Sequence, residues 1–197
     1  MVTKEAVSLF LALLAVVAEL AVVAAIVLAV GGRFSPGLVR ARDEAVAAIG
    51  PAALPLAFAV ATVAMAGSLY FSEVAHFTPC RLCWYQRICM YPLVPLLGLA
   101  AWRHDPGIRP YAATLSGIGA VIASYHVLLE RHPEWETSIC ELNNPCTLKW
   151  INRFGYLTIP TMALSAFALI LVLLAVARPE TPEWETEPEP ESAGRNN

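Results

Sequence analysis

This 197-residue sequence predicts an all-α protein that crosses the membrane several times. Three observations predict it. Hydrophobic residues make up 57% of the chain and charged ones only 15%, against about half and about a quarter in an ordinary soluble domain. The apolar residues gather in five blocks, 6–30, 52–76, 84–102, 111–130 and 158–177, which together take up more than half of the chain. Each block is close to the roughly 20 residues that a helix needs to cross the hydrocarbon layer, and helices keep their backbone groups satisfied there.

The first block runs apolar from Val7 to Val30 with one interruption, Glu19. It exceeds the 7–15-residue apolar region of a secretion signal, and its positive end is thin, with Lys4 offset by Glu5. It reads as a retained spanning helix, with cleavage near Gly31 as the alternative. Glu19 is expensive at mid-span if charged, so it is expected to be neutral or to face other helices. Residues 1–51 therefore form an N-terminal helix and a linker carrying Arg33, Arg40 and Arg42. The segment 178–197 holds six of the sixteen acidic residues and two of the thirteen basic ones. Rich in Pro and Glu, it is expected to be a solvated, disordered tail. The net charge of −3 comes from this tail, and no basic patch suggests nucleic acid.

With five spans and the N-terminus outside, the inner side carries Arg33, Arg40, Arg42, Arg103, Arg109, Arg178 and Arg195. The outer side carries Lys4, Arg81, Arg131, Lys149 and Arg153, a modest bias in the direction that positive residues favour. A second inference is independent of that sign. Two spans separate the 77–83 loop from the 131–157 loop, so both loops lie on one side of the membrane. Four of the five cysteines sit in these loops or at their edge.

Cys80 and Cys83 stand in Thr78-Pro79-Cys80-Arg81-Leu82-Cys83. Thr78 is a plausible helix cap and Pro79 suits the first helical position. Both thiols then lie in the first turns, where free N–H groups and the helix dipole favour a thiolate. Arg87 follows Cys83 by four residues on the same face, where a permanent cation can stabilise a thiolate or an anionic ligand. Cys140 and Cys146 flank Asn143-Asn144-Pro145, turn chemistry that makes a disulfide between them easy. Leu148, Ile151 and Phe154 recur at helical spacing, which suggests a short interfacial helix over 147–154, with an irregular loop as the alternative. Cys89 is turned to another face inside the bilayer and reads as a packing residue.

Two readings of the four loop cysteines compete, with a third behind them. One is a zinc site with four thiolate ligands, although five residues between Cys140 and Cys146 is loose for zinc. The other is two dithiol/disulfide couples that exchange electrons, favoured by the thiolate-stabilising position and the membrane depth. Two static disulfides are the third. His126 lies near the outer end of the fourth span, either hydrogen-bonded within the bundle or acting on a bound ligand. Trp84 and Tyr85 read as interfacial aromatics that could also line a pocket.

The residues resemble the DsbB/BdbC family of disulfide-bond-forming membrane proteins, nearer to its BdbC-type branch. The matching stretches are Gly67-Ser68-Leu69-Tyr70-Phe71-Ser72-Glu73, Pro79-Cys80-Arg81-Leu82-Cys83-Trp84-Tyr85-Gln86-Arg87, Met90-Tyr91-Pro92-Leu93, Tyr125-His126, the Cys140/Cys146 loop, and Phe154-Gly155-Tyr156-Leu157-Thr158-Ile159-Pro160. The resemblance covers about 52–177. It implies a polytopic four-helix bundle carrying an outer cysteine loop at 131–157, to which 6–30 adds one N-terminal transmembrane helix. It further implies a bacterial inner-membrane enzyme that passes electrons from a soluble thioredoxin-fold oxidase (DsbA/BdbD-like) to ubiquinone or menaquinone. Cys80 and Cys83 would be the quinone-linked pair, Cys83 nearest the ring with Arg87 its electrostatic partner. Cys140 and Cys146 would meet the soluble partner on the extracytoplasmic side, Cys140 attacked first. His126 resembles a family histidine near the quinone, and Trp84 and Tyr85 would line its pocket. A membrane scaffold with a zinc site or static disulfides is the alternative, and a reductant working in reverse is a nearer one.

Overall fold

The structure, a computed structural model, describes residues 2–136, 140 and 144–177. The acidic tail expected at 178–197 lies outside the described residues. Among the described residues six α-helices follow in order: α1 (Val2–Gly31), α2 (Pro36–Ile49), α3 (Ala53–Leu69), α4 (Arg81–Arg103), α5 (Arg109–Arg131) and α6 (Ile159–Val176). Among the described residues there is no strand, only an isolated pairing of Arg153 with Leu157. The all-α membrane architecture is as the sequence predicts, and the five apolar blocks become α1, α3, α4, α5 and α6.

Among the described residues, four helical segments are both long and apolar enough to cross a bilayer: 3–31, 36–74, 109–131 and 159–176. Helix α4 is as long as 109–131, with 23 residues, about 34 Å at 1.5 Å per residue. Arg81, Gln86, Arg87 and Arg103 make it less apolar, and those residues prove to matter below.

The linker expected around 33–49 is itself helical. Ser35 precedes Pro36 at the start of α2, whose side chains are none of them buried, and Pro suits that first position. A short tight turn, Gly50–Ala52, carries α2 on into α3. At its C-terminal end α3 widens into a π-turn, Tyr70–Val74.

Helices α3, α4, α5 and α6 form a closed ring in which each packs on the next and α6 returns to α3. Its centre holds Leu93, Leu97, Phe167 and Ile170, all fully buried, among Ala57, Ala61, Ala112 and Ala123. Small residues let the helices approach closely. At Gly119 of α5 an added Cβ would lie 2.3 Å from the Phe167 ring of α6. Helix α1 stands outside the ring, against α6.

The interfacial helix considered for 147–154 does not form, and that stretch is irregular. Its apolar residues are used otherwise. Ile151 is buried with Phe71 and Ala75 at the end of α3, and Trp150 stacks on Phe77 at 5.0 Å. The chain then turns through Phe154 and Gly155, whose φ values of 52° and 80° lie in the left-handed region, and enters α6.

Candidate functional site

The helix that carries the first cysteine pair starts two residues later than the Thr78 cap predicts. Cys80 is the capping residue, in an extended conformation, and its sulfur accepts from the Cys83 backbone N–H at 3.4 Å. A sulfur thus occupies the place where an oxygen usually caps, at the positive end of the helix. The Cys80 and Cys83 sulfurs are 3.3 Å apart and both thiols are free. The hydrogen bond from Cys83, with His126 beside it, holds the Cys80 thiol well below its usual range in spite of burial. The thiolate charge of the pair is thereby favoured on Cys80.

His126, on α5 and 2% exposed, joins the two cysteine pairs. Its Nε2 lies 2.9 Å from the Cys146 carbonyl oxygen and 3.8 Å from the Cys80 sulfur. A carbonyl only accepts, so Nε2 carries a proton. Nδ1 faces the Gln86 amide, with Nε2 at 3.0 Å. Cys146, 1% exposed, is joined to Cys140 by a disulfide. Its backbone N–H donates to Glu136 Oε1 at 2.7 Å, and Asn144 Nδ2 donates to the Pro79 carbonyl at 3.1 Å. The 131–157 loop is thereby docked on the start of α4 through its described residues, so the two loops share one side, as the count of spans between them predicts. Residues 137–139 and 141–143 of that loop lie outside the described residues.

Two spaces adjoin the thiols. A small recess is bordered by Cys80, Cys83, His126 and the buried Glu130. A larger cavity of about 350 Å³ opens between α1, α3, α4 and α6. Its walls are almost wholly apolar, and Cys83, Gln86, Arg87 and Ser68 supply polar groups at one end. Cys83 borders both spaces. This combination of size, apolar walls and a few convergent polar groups suits a hydrophobic small molecule with a polar group at one end.

Arg87 does line that cavity, but its contacts differ from those expected. Its Nε donates to Ser68 Oγ and its Nη2 to the Ser68 carbonyl, both at 3.0 Å. The guanidinium also lies 5.2 Å above the Trp84 ring, within cation–π range. Tyr91 donates to the same Ser68 hydroxyl at 3.3 Å. Three of the residues expected at the cofactor do not border this cavity. His126 does not border the larger cavity; it lies on the Cys80 side. Trp84 and Tyr85 are 53% and 42% exposed and do not line it either. Residues 83, 86, 87 and 90 share one helix face at i, i+3, i+4 and i+7, and positions 84 and 85 are turned away from it.

Ser68, Gln86, Glu130 and Glu136 are site residues that spacing did not single out. Ser68 and Gln86 stand inside the stretches quoted for the resemblance, and that was their only signal. Two of the four loop thiols form a disulfide, so the structure holds no four-thiolate set. Cys80, Cys83 and His126 do bring ligand-type atoms within 4.8 Å of one another, although the Nε2 proton points at a carbonyl.

Comparison with known proteins places this geometry in a family. Residues 51–177 match the model of "Disulfide bond formation protein DsbB". The chain is 45% identical over 125 residues to Disulfide bond formation protein C of Bacillus subtilis, covering 63% of this chain and 91% of that protein. It is 42% identical over 122 residues to a probable disulfide formation protein of Oceanobacillus iheyensis, covering 61% and 84%. It is 38% identical over 123 residues to probable disulfide formation protein C 2 of Bacillus cereus, covering 62% and 88%. No solved structure matches. The family match covers more than half of the chain, which belongs to the DsbB family of membrane proteins of disulfide bond formation.

Proposed function

We propose that this DsbB-family chain is a protein dithiol:quinone oxidoreductase of the bacterial cell membrane. It reoxidises a soluble, extracytoplasmic thioredoxin-fold protein of the DsbA/BdbD kind and passes two electrons to a membrane quinone, ubiquinone or menaquinone. The observation that carries this reading is the position of Cys83. Its sulfur borders the apolar cavity and also the recess where His126 ties Cys80 to Cys146. Residues 52–177 are the redox unit in this reading. The arginines at 33, 40, 42, 103 and 109 support an orientation with the opposite end of the bundle in the cytoplasm.

A thiolate of the reduced partner attacks Cys140, which is less buried than Cys146, and Cys146 leaves as the thiolate. The partner's second thiol then closes its own disulfide and releases the Cys140/Cys146 dithiol. That dithiol reduces a Cys80–Cys83 disulfide by the same exchange, across the contact that His126 maintains. In the reduced inner pair, Cys80 takes the Cys83 proton along their 3.3 Å contact, which leaves the charge on the sulfur that faces the cavity. Arg87, fixed by Ser68, is placed to balance that charge. A bound quinone would supply the sink for two electrons and two protons, one proton from the inner pair and one from solvent, as the Cys80–Cys83 disulfide is restored.

The competing reading is a scaffold in which Cys80, Cys83 and His126 hold zinc, favoured by the convergence of their ligand atoms. Optical assay of quinone reduction by the purified protein with a reduced thioredoxin-fold partner separates the two. Reduction that disappears in Cys83→Ser supports the oxidoreductase. Thiols that resist alkylation until a chelator is added, with no quinone reduced, support the scaffold.

A further inference from the structure

Helix α1 lies outside the residues matched by the family, yet it closes the cavity. Leu11, Leu14, Ala15 and Ala18 form one wall of it. Helix α1 is also fixed in register by polar contacts at two depths. Near its start, Lys4 Nζ donates to the Ala75 carbonyl at 3.0 Å. There too, Arg153 donates to Ser8 Oγ at 2.8 Å and pairs with Glu5. At mid-span, the Glu19 carboxylate accepts from Ser165 Oγ and from Tyr156 Oη, each at 2.9 Å. A carboxyl at that depth is costly unless such partners satisfy it, so Glu19 selects one rotation of α1. That rotation buries Ser8, Ala12 and Ala15 and leaves Phe10, Val17 and Leu20 exposed.

The wall has a direction. Leu11 packs where α3 carries Gly67, whose added Cβ would lie 2.8 Å from Leu11 Cδ1. Gly67 is next to Ser68, so Leu11 stands near the level of Arg87. From Leu11 to Ala18 the helix rises about 10 Å at 1.5 Å per residue, away from the polar groups and towards Ala59 and Leu169 at the apolar end. A ring with carbonyl groups fits at the polar end, and only a hydrocarbon chain suits the rest.

We propose that α1 is a quinone-site helix: the face carrying Leu14 and Ala18 is the wall along which the isoprenoid tail of the acceptor lies, held in register by Glu19. This deepens the oxidoreductase reading and rests on it. The test uses the full chain with two acceptors, a quinone bearing a long isoprenoid tail and a tailless quinone of the same ring. Ala18→Phe fills the wall and should raise KM for the tailed quinone about tenfold, with KM for the tailless one within about twofold of the parent. Equal KM changes for both quinones, or none, would overturn the assignment. A second measurement needs no variant: a quinone with an azide on its tail, photolysed on the parent protein, should label the peptide containing residues 11–18. Label confined to α3–α6 overturns the role of α1, whereas a parent protein that neither reduces nor binds either quinone overturns the underlying reading as well.

Discussion

His126 Nε2 donates to the carbonyl oxygen of Cys146 at 2.9 Å, and that single contact brings a residue of the inner site against the outer disulfide. The same N–H faces the Cys80 sulfur at 3.8 Å, so one ring takes part both in loop docking and in the charge state of the inner pair. His126→Ala leaves the Cys146 carbonyl and the Gln86 amide without this partner, at a cost of about 1–3 kcal/mol. The expected outcome is about a tenfold slower transfer of the disulfide from the inner to the outer pair. Acid quench and alkylation after reduction of the outer pair, read by mass spectrometry, measures it.

Cys80 titrates below the usual thiol range because Cys83 and then His126 stabilise its thiolate. The sign is that of a depressed acid: the thiolate is kept as pH falls, until pH passes through the lowered value. An ordinary thiol is under about 1% thiolate at pH 6, so its alkylation nearly stops there. In the reduced protein, Cys80 should alkylate at pH 6 nearly as fast as at pH 8. Removing the donor in Cys83→Ala should shift that profile upward.

Ser68 positions Arg87 through two hydrogen bonds. Ser68→Ala removes the hydroxyl but keeps the carbonyl, and a neutral hydrogen bond contributes about 0.5–1.5 kcal/mol. The apparent KM for quinone should rise several-fold with kcat little changed. Arg87→Met, which removes the charge, should raise KM by about tenfold or more. Thermal unfolding of both variants should shift less than their quinone affinity does.

Glu136 holds the outer disulfide loop, accepting the Cys146 N–H at 2.7 Å and the Thr147 hydroxyl at 3.3 Å. Hydrogen bonds to a charged group contribute about 1.5–3 kcal/mol. Glu136→Ala should therefore loosen the loop and speed reduction of Cys140–Cys146 by a small dithiol about tenfold. Free-thiol titration over time checks this.

The spans were legible because lipid imposes one condition on all of them, and block length alone reports it. The shared side of the two cysteine pairs was legible too, since it follows from counting helices between 77–83 and 131–157. Contacts across the fold were not legible. Gln86 and His126 are 40 positions apart, and nothing local in either marks the pair. Trp84 and Tyr85 stood beside the thiols in sequence, yet the helix turns them off the face that carries 83, 86, 87 and 90. The spacing of Leu148, Ile151 and Phe154 imitated a helix, whereas burial of Ile151 against Phe71 decided the conformation. Glu19 looked like a mid-span anomaly until Ser165 and Tyr156 came to it from the other end of the chain.

The measurement closest to the central claim is a single turnover in Cys140→Ser/Cys146→Ser, with Cys80 and Cys83 reduced beforehand and one equivalent of quinone added without oxygen. Alkylation and mass spectrometry then read the inner pair, while absorbance reads the quinone. Formation of one Cys80–Cys83 disulfide per quinone reduced, with no turnover on the soluble partner, is the predicted result. Thiols that stay reduced beside unreacted quinone would contradict the account.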